Sequence, residues 1–253
     1  MSFLSELAAD NPTHLWHMDS VSGGIIADAG GGTAVDLTVT GSLSSSAGLA
    51  DQSGALYFGG SDYATGSGSA DMPTGNTPYT LGIVCSPSAV TAQQTLVGFG
   101  APSVRRAAGI KLNGAFYTAV SWGDDITSTV TAVANEKSYL VATYDGGTTL
   151  KLYRNGVLIG TRTLGAALNI TASAPYVGRL GIGPLGEGYT GVLDEVYIIT
   201  NTALSAARIA AHYYASSVVE RCLYPSFTSS PISPSVQLSA VPSVHYPVHA
   251  LGV

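Results

Sequence analysis

The side chains of this sequence best suited to meeting a ligand are a few aromatic rings and turn carboxylates. Tyr117, Trp122 and Asp124 share the short stretch YTAVSWGD. An aromatic face can pack on a sugar ring while a turn carboxylate accepts hydroxyl protons, so these three form the expected carbohydrate-binding group. Tyr117 and Trp122 lie five apart on one extended run and face opposite sides of a sheet, which puts one of them in the core. Asp62, Asp124, Asp125 and Asp194 fall in or near expected turns and are the candidate calcium ligands, since calcium takes six to eight oxygens from carboxylates and carbonyls. An Asp in a turn also serves its own Asx hydrogen bond. Calcium is the one cofactor these residues suggest.

Other chemistries lack their residues. Glycoside hydrolysis needs two carboxylates flanking one bond, about 5–10 Å apart. The glutamates are residues 6, 136, 187, 195 and 220, and none sits in an alternating acidic strand pattern. Asp194 and Glu195 are neighbours, which a regular strand sends to opposite faces. No G-x-S-x-G elbow is present. Gly181–Gly186 spells G-x-G-x-x-G, but a strand pattern rather than a helix follows it, so no helix N-terminus is there to receive a pyrophosphate. His14 and His17 point to opposite strand faces, and Pro247 between His245 and His249 rules out a helical zinc pair. The expectation is a protein that is not an enzyme.

These residues must be positioned by strands. The organising stretch is 139–163, YLVATYDGGTTLKLYRNGVLIGTRT, with three alternating runs. Asn155-Gly156 joins the second to the third, the strongest short signal for a type I′ hairpin, because both central residues need positive φ. Asn113-Gly114 suggests another such hairpin. Further strands are expected at His14–Asp19, Val35–Val39, Ala55–Phe58, Tyr79–Cys85, Thr95–Phe99, Gly109–Leu112, Ala115–Trp122, Thr127–Val133, Tyr176–Leu180 and Gly188–Ile199. Ser2 caps a short helix to about Ala9, and Ser205 caps Ala206–Tyr214. Many strands at short intervals with one late helix read as an all-β sandwich or jelly roll.

Composition agrees. The 253 residues include 31 glycines and only 10% charged residues, with net charge −6. The adjacent pair Arg105-Arg106 is no basic patch, so nucleic acid is excluded as a partner. No apolar run reaches 18 residues, so no membrane span is expected, and the opening MSFLSELAADNP lacks the features of a signal peptide. Cys85 and Cys222 form neither a disulfide framework nor a metal spacing and are expected as free thiols in a reducing compartment. The sequon Asn169-Ile170-Thr171 then carries no meaning.

Ordered motifs carry a family resemblance. Tyr139–Asp145 followed by Leu150–Gly156 resembles the "HVAATYDG…LYVNG" hairpin of laminin-G-like, concanavalin A-like domains. Gly191–Ile198 followed by Ala203–Ala207 is similar to that family's closing "G-x-I-D-E-V-R-I-Y…A-L-S-A" strand and helix, and Phe58–Tyr63 to its "F-D-G-x-D-Y" turn. His14–Asp19 matches the opening strand. The resemblance covers roughly residues 8–214, with Lys137 standing where the family commonly has Trp. It implies a concanavalin A-like two-sheet jelly-roll sandwich that usually binds sugars or proteins, sometimes with calcium at its rim. The expected organisation is a lead-in helix over 1–12, the jelly roll with its closing helix over 13–214, and an extended arm over 215–253.

That arm is different in kind. Residues 222–253 contain no Asp, Glu, Lys or Arg, five prolines, and apolar or aromatic residues that include Tyr224, Phe227, Val236, Leu238, Val244, Tyr246 and Leu251, after Cys222. Ordering such a strip costs roughly 1–2 kcal/mol per residue in backbone entropy. Apolar burial on the order of 1,300–2,600 Å² would offset that, so the arm is expected to lie on the body or on another subunit. Two functions fit. One is a structural accessory of a bacteriophage virion, in head decoration or tail, that self-associates or joins other virion proteins through 222–253; the opening LAADNPTHLW also resembles laminin-G-like modules of phage structural proteins. The other is a lectin module with a glycan partner.

Overall fold

The computed structural model describes residues 2–50, 53–180 and 187–216. Two helices, α1 (Phe3–Ala9) and α2 (Ala206–Ser216), flank sixteen strands. In chain order these are β1 (His14–Trp16), β2 (Ile25–Ile26), β3 (Leu37–Thr40), β4 (Ser44–Ser46), β5 (Ala55–Gly59), β6 (Tyr63–Gly66), β7 (Tyr79–Pro87) and β8 (Gln94–Gly100). Then follow β9 (Ala107–Asn113), β10 (Phe116–Val120), β11 (Ile126–Thr131), β12 (Ser138–Tyr144), β13 (Thr149–Arg154), β14 (Val157–Thr163), β15 (Tyr176–Val177) and β16 (Thr190–Thr200). They form two antiparallel sheets. Sheet A runs β14-β13-β12-β7-β16-β5-β4 with β1 beside β16, and sheet B runs β11-β10-β9-β8-β15-β6-β3-β2. Among the described residues no helix is long and apolar enough to cross a membrane.

Alternation within strands builds the core. Leu81, Ile83 and Cys85 of β7 and Leu140, Ala142 and Tyr144 of β12 turn inward, where they meet Ile110, Leu112, Tyr117 and Ala119 of sheet B. Burial pushes the Cys85 thiol up to about 12, so it is an inert core residue. The intervening residues of sheet A, Val84, Tyr139, Val141, Tyr153 and Tyr197, make a second apolar layer with Phe3 and Leu7 of α1 and Ile209 of α2. The helices therefore cover the outer face of sheet A, while no described helix covers the outer face of sheet B.

Local chemistry sets the turns and caps. Ser2 and Ser5 form a reciprocal capping box at α1, and the Ser205 hydroxyl accepts from the Arg208 N–H at the start of α2. Asn155 (φ 52°) and Gly156 (φ 79°) are both left-handed between paired Arg154 and Val157, the expected type I′ hairpin. The second hairpin differs: its central residues are Gly114 and Ala115, with Gly114 at φ 59° and Ala115 outside the positive-φ region. Positive φ at the first central residue alone is the mark of type II′. Short strands β2, β4 and β6 were not expected, since two to four residues such as Ser44–Ser46 carry no periodic signal. Conversely, Tyr176–Leu180 is extended only over Tyr176–Val177, because Gly178 turns at φ 79°.

Candidate functional site

Neighbouring rows of sheet B carry the residues on the face turned away from the core, most of them buried and only Lys111 and Thr127 reaching solvent. Thr95, Lys111, Thr118 and Thr127 stand opposite one another across β8 to β11, and Gly98, Gly109 and Val120 form a second row with Tyr176. The alternate positions, among them Ile110 and Ala119, are in the core, so both rows face outward. Gly98 has no side chain for a reason: a Cβ there would lie 2.6 Å from the Tyr176 hydroxyl, whose ring covers it. Glu187 joins this face, accepting from the Thr95 hydroxyl at 2.7 Å and pairing with Lys111 at 3.6 Å.

Trp122 lines the same recess with Thr95, Lys111, Val120, Tyr176 and Glu187. It is half-buried and is not in a strand, since β10 ends at Val120 and Trp122 has φ 56°. The loop that carries it is held on both sides. The Asp125 carboxylate accepts from the Ser121 N–H at 2.8 Å, and the Arg105 N–H donates to the carbonyls of Ser121 and Trp122. Asp124 bridges Arg162 and Arg105, at 2.9 and 2.8 Å, and those two guanidinium groups hold its carboxyl below the usual range.

The expected sugar-binding trio is thus divided. Trp122 is at the surface, whereas Tyr117 is fully buried, hydrogen-bonded to Ser138 at 2.8 Å and capped by the Arg154 guanidinium 5.3 Å from its ring. Asp124 is committed to two arginines and positions the Trp122 loop. The expected run through Trp122 stops at Val120, so the loop rather than strand alternation sets where Trp122 points.

The four expected calcium ligands are not brought together. Asp62 accepts from the Gly59 and Ser42 N–H groups at 2.9 and 3.0 Å, so its carboxylate ties the end of β5 to the segment after β3. Among the described residues, the carboxylates that converge within 4.8 Å are Asp19, Asp194 and Glu195. This corrects the expectation that Asp194 and Glu195 lie on opposite faces. The β16 ladder to β7 shifts register between Asp194 and Tyr197, and Glu195 sits at φ 45°, a bulge that re-aims one side chain. The cause is a change of neighbour, since β16 pairs with β5 through Leu193 and with β1 from Val196. Asp194 Oδ2 accepts from the N–H groups of Leu49 and Ala50 at 2.7 and 2.8 Å, Glu195 faces His17 Nδ1 at 3.0 Å, and Asp19 accepts from the Ser53 hydroxyl at 2.8 Å. Each of the three carboxylates already has a protein partner, and Asp194 and Glu195 are fully buried. The cluster locks the bulge and the segment at Leu49–Ala50.

The opposed β-sheets, the DEV strand closing against β1 and the helix after it agree with one family model. That model, described as concanavalin A-like lectin/glucanases superfamily, matches residues 26–210. The chain belongs to this superfamily. No curated protein matches the sequence. Solved structures share the fold at low identity. Domain 4 of AbnA, a GH43 extracellular arabinanase from Geobacillus stearothermophilus in complex with arabinotriose, is 16% identical with a TM-score of 0.62, covering 80% of this chain and 98% of that one. A botulinum neurotoxin type C structure, from work on cell entry dependent on two ganglioside molecules, is 12% identical with a TM-score of 0.61 over 83% of this chain and 53% of that one. A Trypanosoma rangeli sialidase is 14% identical with a TM-score of 0.57 over 82% of this chain and 33% of that one. The chain therefore spans about half of the toxin chain and a third of the sialidase. The arm residues Cys222, Tyr224, Phe227, Val236, Leu238, Val244, Tyr246 and Leu251, and the Gly181–Gly186 motif, lie outside the described residues.

Proposed function

We propose that this superfamily member is a glycan-binding module without hydrolytic activity, with its ligand on the outer face of sheet B around Trp122. The observation that carries this is the placement of Trp122: a half-buried aromatic ring held by a braced loop, beside the partly exposed ammonium of Lys111 and carboxylate of Glu187, the latter held by the buried Thr95 hydroxyl. An aromatic ring supplies apolar contact to a sugar face, and the neighbouring polar groups hydrogen-bond its hydroxyls. Non-catalysis is supported by burial, because Asp194 and Glu195 are fully enclosed and cannot flank a glycosidic bond. The arabinotriose complex of the arabinanase domain makes short neutral oligosaccharides the first probes. Titration calorimetry with arabinotriose and a panel of neutral oligosaccharides is expected to show binding that Trp122→Ala removes with the circular dichroism spectrum unchanged. Undiminished binding by Trp122→Ala would overturn the assignment of the site.

A second reading, a virion accessory protein assembled through residues 222–253, rests on one observation of the sequence: that stretch is uncharged, rich in proline and apolar at intervals. Such a segment needs a partner for its apolar side chains and backbone donors, and proline favours a groove or sheet edge over a sheet interior. Light scattering of the chain with and without residues 216–253 tests it. An oligomer that dissociates on truncation supports assembly, and a monomer in both forms removes its basis.

A further inference from the structure

A second concave site lies at one end of the sandwich. Its volume is about 360 Å³, within the range of small-ligand sites, and it shares no residue with the Trp122 recess. Its walls come from four separate places: Asn11 and Thr13 after α1, Gly31 and Gly32 between β2 and β3, Asp71 to Thr77 before β7, and Thr200 and Asn201 at the end of β16. Hydrogen bonds tie those segments together. The Thr200 N–H donates to the Thr13 hydroxyl at 2.9 Å, the Thr200 hydroxyl to the Asp71 carbonyl at 2.7 Å, the Thr33 N–H to Asp71 Oδ2 at 2.8 Å, and the Gly32 N–H to the Thr13 carbonyl at 2.9 Å. The cleft is a built feature of the closed sandwich.

The lining chemistry is selective. It presents the amides of Asn11 and Asn201, the carboxylate of Asp71 and the hydroxyls of Thr74 and Thr77, with neither a lysine, an arginine nor an aromatic ring. With no cationic side chain and with the Asp71 carboxylate in its wall it disfavours an anion, and a single exposed carboxylate holds a cation weakly. What it offers in number is neutral hydrogen-bonding groups. The glycines keep those groups in place. A Cβ on Gly31 would come within 2.8 Å of Asn11 Oδ1, and one on Gly32 within 2.8 Å of Thr13 Cγ2 and 3.3 Å of Asp71 Oδ2. Side chains there would push aside the atoms that line the cleft.

We infer that this cleft is a second binding site for a neutral, hydroxyl-rich ligand, so that one chain engages a glycan at two places. The inference rests on the glycan-binding reading, but its residues are separate and can be tested separately. Calorimetry and amide chemical-shift mapping would use the full chain with arabinotriose, the same neutral panel, and sialyllactose as an anionic control. Two variants report on the cleft: Asp71→Asn, which keeps an acceptor for Thr33, and the double change Asn11→Gly with Asn201→Gly, which preserves the left-handed backbone at φ 49° and 66°. The expected result is two ligands per chain, one lost in Trp122→Ala and the other weakened roughly tenfold in the double variant, the scale of losing one or two hydrogen bonds. One site lost in Trp122→Ala, with the cleft variants binding as wild type, overturns the inference and leaves the proposed function standing. Binding lost only in the cleft variants supports the cleft and removes the Trp122 site. Binding of sialyllactose alone, or of no oligosaccharide, overturns the cleft as a neutral-glycan site.

Discussion

His212 Nε2 lies 2.7 Å from Asp10 Oδ2, which ties α2 to the residue that ends α1. The other ring nitrogen meets the Tyr139 hydroxyl at 2.9 Å, and that hydroxyl meets Tyr197 at 2.5 Å. Arg208 completes the clamp by donating to both Asp10 oxygens and to Glu6. The network fastens both helices to the outer face of sheet A, so its protonation state bears on their docking.

Burial holds the His212 pKa below its ordinary value, against the pull of Asp10. The groups facing it are Asp10, Glu6, Arg208, Tyr139 and Tyr197. The unfolded chain takes up the proton near pH 6.5 and the folded chain only at lower pH. Stability from this residue is therefore complete above about pH 6.5 and is lost as pH falls below it. The carboxyls held low in the fold, Asp28, Asp71, Asp124 and Asp145, act at lower pH. Urea midpoints should fall between pH 7 and pH 5 in the wild type and fall less steeply in His212→Gln. Parallel slopes would show that His212 does not control this window.

Gly156→Val should destabilise the body. The position has φ 79°, and a Cβ there would lie 3.1 Å from Ala210 Cα of α2. Forcing a β-branched residue into that backbone costs about 1–3 kcal/mol, or several degrees in Tm for a domain of this size. A melting temperature within a degree of wild type would contradict the hairpin geometry.

Asp194→Ala removes the acceptor for two backbone donors. The Ala50 N–H is buried and loses about 1–3 kcal/mol without a partner, while that of Leu49 is less enclosed. Denaturant unfolding should show a loss in this range. A smaller loss with Asp194→Asn would identify the hydrogen bonds rather than the charge as the source.

Glu195→Gln should leave polysaccharides untouched, as should the wild type. Reducing-end release from arabinan, xylan and glucan by the wild type, abolished by this change, would show that the buried pair becomes accessible and would refute the non-catalytic reading.

Much of the fold was legible in short patterns. Asn155-Gly156 between alternating runs dictates positive φ at both positions, and Ser2 and Ser205 before apolar-periodic stretches mark helix starts, because these are local energies carried by a few adjacent residues. The strand faces of Leu140, Ala142 and Tyr144 follow from a period of two. What lay beyond the sequence depends on pairing between distant segments. The bulge at Glu195 exists because β16 exchanges β5 for β1 as its neighbour, which no window around residue 195 contains. Whether Tyr117 or Trp122 faces the core was undecidable from their spacing until sheet B packed on sheet A. The end cleft gathers Asn11, Asp71 and Asn201 from segments up to 190 residues apart in the chain, and only closure of the sandwich brings their polar groups to one surface.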